Sequence, residues 1–71
     1  MLQPVPPRWL EVWVDHPHLG GCFTYRVPEG SAPEAGDLLS VPFGQQMAGA
    51  VALGWRSELP AGVDPQSVRE I

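Results

Sequence analysis

The sequence has no lysine, a single cysteine and no long hydrophobic run. One cysteine, Cys22, excludes an internal disulfide framework and any zinc site built from several cysteines. No apolar stretch approaches the ~20 residues that a membrane-spanning helix needs, so no membrane partner is expected. Residues 1–7 have neither a basic start nor an apolar stretch and therefore do not form a signal peptide. The setting expected for this chain is the reducing cytoplasm.

Positive charge is also scarce. Eight acidic residues outnumber four arginines, which gives a net charge of −4. A protein that holds nucleic acid mainly through its phosphates is usually basic. Any nucleic-acid function of this chain must therefore depend on a local pocket, or on other domains of a longer protein.

Proline and glycine are abundant, with nine and eight residues among the 71. This composition favours short strands and turns over long helices. Five segments have the alternation or the aromatic and β-branched content of strands: 9–15, 22–27, 37–43, 47–55 and 67–71. The predicted fold class is all-β, a small antiparallel barrel or curled sheet of about five strands.

The chain length allows one domain with one small core. We predict an extended, proline-rich lead-in over 1–8 and a folded β-rich domain over 9–71. Because the chain stops inside the fifth predicted strand, we expect it to be an N-terminal fragment of a longer protein. Alternation places these side chains in the core: Leu10, Val12, Val14, Leu39, Val41, Val51 and Leu53. The other face of the fourth segment has only alanine and glycine, which suggests close approach by another backbone.

Residues with the chemistry of a catalytic or metal site are few. His16 and His18 flank a proline, with only Asp15 and Cys22 nearby as further ligands, and no second cluster completes a metal site. We interpret the two histidines as part of a solvated loop and Cys22 as a small buried side chain. No recognisable acid–base or nucleophile set is present, so this chain is not expected to be an enzyme.

Four segments, taken in order and spacing, resemble a known family. They are EVWVD at 11–15, FTYRVPE at 23–29, GDLLSVPFG at 36–44 and GAV at 49–51. Together they resemble the N-terminal domain of the primosomal protein N-prime family, the bacterial replication-restart DNA helicases. The most specific pair is Phe-x-Tyr-x-Val-Pro with Val-Pro-Phe-Gly, and the likeness runs from about Trp9 to Ile71.

The resemblance implies a DNA-binding module that recognises the 3′ end of the nascent leading strand at a stalled replication fork. The family's pocket residues correspond here to Phe23, Thr24 and Gly44, with Tyr25 and Gln45 beside them. We expect Phe23 to shape the pocket and Thr24 to contact the terminal base. Gly44 is expected to present its backbone to the terminal sugar, whose free 3′-hydroxyl would be the feature recognised.

Two positions depart from the family pattern. Many members have aspartate at the position of Thr24, whose hydroxyl can form a hydrogen bond but has no charge. The family's basic pocket residue falls near Gln66 or Ser67, and neither is cationic. Arg69 is close in sequence, but the alternation of a fifth strand would point it elsewhere.

The resemblance also implies that the parent protein is an ATP-dependent helicase of the bacterial cytoplasm. ATP, magnesium and zinc would then serve its other domains, which are expected partners of this one, and this chain would need no cofactor. The residues also permit a second hypothesis, a protein-interaction β-module that docks through a face containing Trp9 and Trp13. The acidic charge favours this second hypothesis, whereas the ordered motifs favour the first.

Overall fold

The computed structural model describes residues 8–71, which form a four-stranded antiparallel sheet. The strands are β1 (Trp9–Val14), β2 (Gly21–Arg26), β3 (Leu38–Phe43) and β4 (Gln46–Arg56). They lie in the order β2-β1-β4-β3, so β2 and β3 are the edge strands. The all-β prediction is confirmed, and each of these strands begins and ends within one residue of its predicted bounds. The first seven residues of the predicted lead-in lie outside the described residues.

Side chains of the two edge strands meet and curl the sheet. The Tyr25 hydroxyl of β2 donates a hydrogen bond of 2.7 Å to the carbonyl oxygen of Pro42 in β3. The ring centroids of Phe23 and Phe43 lie 5.2 Å apart in an edge-to-face arrangement. Because β2 and β3 share no main-chain ladder within the described sheet, it remains a curled open sheet and not a closed barrel.

The fifth strand predicted over 67–71 is reduced to an isolated bridge. A 3₁₀ turn spans Pro65–Ser67, and beyond it Glu70 forms a single parallel bridge with Arg26 of β2. Asp64 caps the turn, because its carboxylate accepts a main-chain N–H at 2.9 Å. A capping residue followed by proline favours the start of a helical turn, which is why the strand prediction is wrong here.

One face of the sheet holds the hydrophobic core. Leu10, Val12 and Val14 of β1 alternate onto this face and are fully buried, as predicted. The other core residues come from the remaining strands and from the residue after β2: Tyr25, Val27, Val41, Ala50 and Ala52. Leu39, which was also predicted to be buried, packs half-buried at the margin of this core.

The predicted core face of β4 is wrong. Leu53 is 44 % exposed and Val51 is half-buried, whereas Ala50 and Ala52 belong to the core. Ala52 pairs with Val12 and therefore shares its buried face, after which the register shifts and leaves Leu53 as the extra residue of a β-bulge. Alternation alone predicts two faces but not which of them is buried, and the small alanines fit the concave side of a curled sheet.

Cys22 and the tryptophans of β1 differ from two expectations of the sequence analysis. Cys22 is exposed, not buried, since it pairs with Trp13 on the face of the sheet away from the core. Trp13 is 49 % exposed, but Trp9 is only 7 % exposed. The two tryptophans therefore do not form the exposed docking face of the second hypothesis.

Substitutions in β1 and β4 test this register. Val12→Ala is expected to lower the free energy of unfolding by about 1–3 kcal/mol, because Val12 is fully buried and its loss leaves a cavity. Leu53→Ala removes more carbon but from an exposed position, so its cost should be smaller. Urea unfolding followed by tryptophan fluorescence measures both, and a larger loss for Leu53→Ala would contradict the observed register.

Candidate functional site

Two open grooves lie side by side where the edge strands meet. Groove A, of about 420 Å³, is bounded by β2, the β3–β4 hairpin and the C-terminal segment. Phe23, Thr24, Tyr25 and Gly44 line it, so the structure brings four of the five predicted site residues together. Groove B, of about 390 Å³, lies between the same hairpin and the β1–β2 loop, and the fifth predicted residue, Gln45, lines this groove instead.

Two aromatic side chains of β2 form one wall of groove A. Phe23 and Tyr25 are two residues apart and therefore lie on the same face of the strand. Tyr25 is only 4 % exposed, and burial raises the pKa of its hydroxyl although the nearby Arg69 guanidinium acts in the opposite direction. The hydroxyl therefore stays protonated at neutral pH and holds the carbonyl of Pro42. Phe23 is 39 % exposed and offers an apolar surface to the groove.

Thr24 lies between these aromatic residues but faces the groove with its main chain and not with its side chain. It pairs with Glu11 across the β1–β2 ladder, so its side chain emerges on the face opposite to Phe23. Two residues further on, the N–H of Arg26 donates a hydrogen bond of 2.9 Å to the carbonyl of Arg69, and its carbonyl accepts one of 3.0 Å from the N–H of Ile71. Because main-chain groups of a strand alternate in direction, those of Thr24 point to the same open edge and face groove A.

Gly44 forms the turn at which the two grooves meet. It is the first residue of the two-residue connection between Phe43 and Gln46, and its φ of +62° lies in the left-handed region. Hairpin turns of this kind favour glycine at that position. A Cβ built there would meet nothing within 4 Å, so the backbone of Gly44 stands open to both grooves.

Arg69 lines groove A, although it was expected from the sequence to point elsewhere. Its guanidinium donates a hydrogen bond of 2.6 Å to the carbonyl oxygen of Gly44, and the side chain is otherwise exposed. The expectation that alternation would point Arg69 elsewhere is wrong, because the 3₁₀ turn replaces the start of the strand. The signal in the sequence was the Asp64–Pro65 pair, which marks that turn.

The charge in groove A differs from that of the whole chain. Among the described residues, those that line the groove include Arg69 but no aspartate or glutamate. The groove therefore combines an apolar ring, open main-chain groups and a cation whose guanidinium has five N–H donors. Such a surface can receive a planar group and an anionic one side by side.

Neither a cluster of metal-binding side chains nor a membrane-spanning helix is present among the described residues. Residues 8–71 contain no group of three or more histidine, cysteine, aspartate or glutamate residues that could hold a metal ion. No helix in this part of the chain has the length and apolar character needed to cross a membrane. Grooves A and B are the candidate binding surfaces of this small all-β domain.

Comparison with known proteins assigns the family. Residues 11–71 match the family described as the 3′DNA-binding domain (3′BD) of PriA. The chain is 36 % identical over 63 residues to the replication restart protein PriA of Synechocystis sp., and the alignment covers 89 % of this chain but 8 % of that protein. No solved structure matches the chain. The chain belongs to the family of 3′DNA-binding domains, and the resemblance inferred from the four sequence segments is confirmed.

The buried Tyr25 hydroxyl, which bonds the carbonyl of Pro42, predicts how the stability of the domain changes at alkaline pH. The unfolded chain releases the tyrosine proton near pH 10, whereas the folded chain, in which burial raises the pKa of Tyr25, still holds it. The free energy of unfolding should therefore fall as the pH rises above about 10. Tyr25→Phe should remove this fall and, at neutral pH, lower the stability by about 1 kcal/mol for the lost hydrogen bond.

Urea unfolding at a series of pH values between neutrality and pH 11 measures both effects. The chain is well suited to this, since it has no lysine and only one tyrosine. An equal fall in stability above pH 10 in the native and Tyr25→Phe proteins would contradict the assignment.

Proposed function

We propose that this chain binds the 3′-terminal nucleotide of a DNA strand in groove A. The observation that supports this best is the groove itself, open at Gly44 and bordered by Phe23 and Thr24. These residues stand in the sequence motifs that resemble the family, and they come from strands far apart in the chain. If these residues had only a structural role, their side chains would be expected to fill this space.

Each part of groove A has a distinct task in this proposal. The exposed ring of Phe23 packs against the terminal base, since bases stack well on aromatic side chains. Thr24 contacts the edge of that base with the main-chain groups that face the groove. The terminal sugar lies against Gly44, where the absence of a side chain allows close approach. Arg69 meets the phosphate that links the terminal nucleotide to the rest of the strand.

The wider setting follows from the relative in which a similar domain occurs. The chain spans 8 % of the length of the Synechocystis sp. replication restart protein that it matches. We propose that it serves as the 3′-end-binding module of a longer helicase and recognises the nascent leading strand at stalled forks in the bacterial cytoplasm. ATP, magnesium and zinc would serve the other domains of that protein, which are partners of this module.

A free 3′-hydroxyl should be the feature that groove A prefers. A terminal 3′-phosphate adds bulk where Gly44 allows close approach and lacks the hydroxyl that could donate to a main-chain carbonyl, so it should weaken binding clearly. Fluorescence anisotropy with two fork DNAs that differ only at this terminus measures the preference. Equal affinity for the two would contradict the proposed pocket.

Arg69 should account for most of the salt dependence of binding. One neutralised phosphate on a single strand contributes about −0.7 to the slope of log affinity against log salt, so a shallow slope is expected. Arg69→Ala should lower the affinity by about five-fold, on the order of 1 kcal/mol, and bring the slope close to zero. Arg26→Ala is the matched control, because Arg26 is also exposed but does not line groove A.

Anisotropy titrations across a salt series separate the two variants. A native slope steeper than about −3 would mean that many phosphates are bound outside groove A. Equal effects of the two arginine substitutions would likewise count against a specific role for Arg69.

A further inference from the structure

Four aromatic rings form a continuous row across the end of the sheet. The row begins at His18 and His16 in the β1–β2 loop, whose ring centroids are 6.5 Å apart. It continues from His16 to Phe43 at 5.3 Å and from Phe43 to Phe23 at 5.2 Å. The row therefore leads out of groove A, past the hairpin, and along groove B. The role proposed for groove A uses only the Phe23 end of it.

Groove B has the chemistry of a site for a base and not for a phosphate. His16 and Phe43 line it, together with Leu19, Gly44, Gln45 and Gln46. No arginine, aspartate or glutamate is among its described lining residues. Two amides can each donate and accept hydrogen bonds, which suits the polar edge of a base. Groove B also shares Phe43 and Gly44 with groove A, so the two sites are directly adjacent.

The ring of His16 is held in place by its own loop. Its Nδ1 accepts hydrogen bonds from the main-chain N–H groups of His18 and Leu19, at 3.2 and 3.1 Å. An Nδ1 that accepts leaves the proton of the neutral imidazole on Nε2 and fixes the orientation of the ring. The carbonyl of His16 also accepts the N–H of Gly20, where a Cβ would lie 2.7 Å from that same oxygen. His16 is half-buried with its ring held in this way, whereas residues 17–20 of the same loop are exposed, in keeping with the solvated loop expected from the sequence.

We propose that groove B binds the base of the nucleotide that precedes the 3′-terminal one, with His16 and Phe43 as its aromatic surface. This inference rests on the function proposed for groove A, since it concerns the next nucleotide of the same DNA strand. The planes of the Phe23 and Phe43 rings are inclined by 74°, and those of Phe43 and His16 by 46°. Bases that pack face to face on different rings of this row therefore cannot lie parallel to each other, so the last two bases are expected to be unstacked, with each base packed on an aromatic side chain.

An abasic nucleotide next to the 3′ end tests this proposal. The native protein should bind a 3′-hydroxyl oligonucleotide at least about five-fold less tightly when its penultimate base is missing, because one stacking contact is lost. His16→Asn removes the ring but keeps a side-chain oxygen that can accept the N–H two residues further on. This variant should discriminate between the intact and abasic oligonucleotides clearly less than the native protein does, because only Phe43 remains of the aromatic surface. His16→Phe keeps a ring without the acceptor, so it should retain the difference.

His18→Ala is the matched control, because His18 belongs to the same loop but does not line groove B. Its discrimination between the two oligonucleotides should equal that of the native protein. Thermal melting of each variant reports whether the loop substitutions alter folding. If His16→Asn discriminates as strongly as the native protein, or if His18→Ala loses discrimination as strongly as His16→Asn does, the proposal is wrong.

The same titrations separate this proposal from the function proposed for groove A. Native protein that prefers a 3′-hydroxyl over a 3′-phosphate but ignores the penultimate base would overturn the role of groove B alone. A penultimate-base effect without any preference for the free 3′-hydroxyl would overturn the terminal pocket and support groove B as a base site. Absence of both effects would overturn both.

Discussion

The contact between the two edge strands is the interaction on which the rest of the structure depends. A four-stranded sheet of this order leaves β2 and β3 without a neighbouring strand on one side, and among the described residues β2 is bonded there only through Arg26 to residues 69–71. The buried Tyr25 hydroxyl bonds the Pro42 carbonyl, and the Phe23 and Phe43 rings meet beside it. These contacts draw the edges together without joining them. A closed barrel would have no gap there, and a flat sheet would have no walls, so the incomplete closure is what forms groove A.

The sequence predicts the strands well and their contacts less well, for physical reasons that differ from place to place. In β1, large apolar residues alternate with polar ones, and the buried face follows directly. In β4, both faces are apolar, so the choice between Leu53 and Ala52 depends on the register with β1 and on a bulge that alternation does not reveal. The motif resemblance predicted four of the residues that line groove A, because these residues fall in ordered segments. The resemblance did not predict the position of Arg69, since this position depends on a capped turn in a segment that has the pattern of a strand.

The net charge of the chain does not predict the charge of the candidate site. The chain is acidic overall, yet groove A has a cation and no carboxylate among its described lining residues. Charges separated by more than about 8–10 Å are largely screened at moderate salt, so a ligand in the groove responds mainly to the groups nearest to it. The acidic surface elsewhere would oppose extended contact with DNA. That combination favours binding at a terminus over binding along a strand.

Gly44 links the fold to both grooves. Its left-handed backbone makes the tight turn between β3 and β4, its carbonyl anchors Arg69, and its missing side chain leaves open space on both sides. Any L-residue placed there would strain the turn and narrow the grooves at once. The loss of binding in such a variant could not be divided between these causes. Substitutions of Arg69 and His16, which touch one groove each, are therefore better suited to separate what the two grooves do.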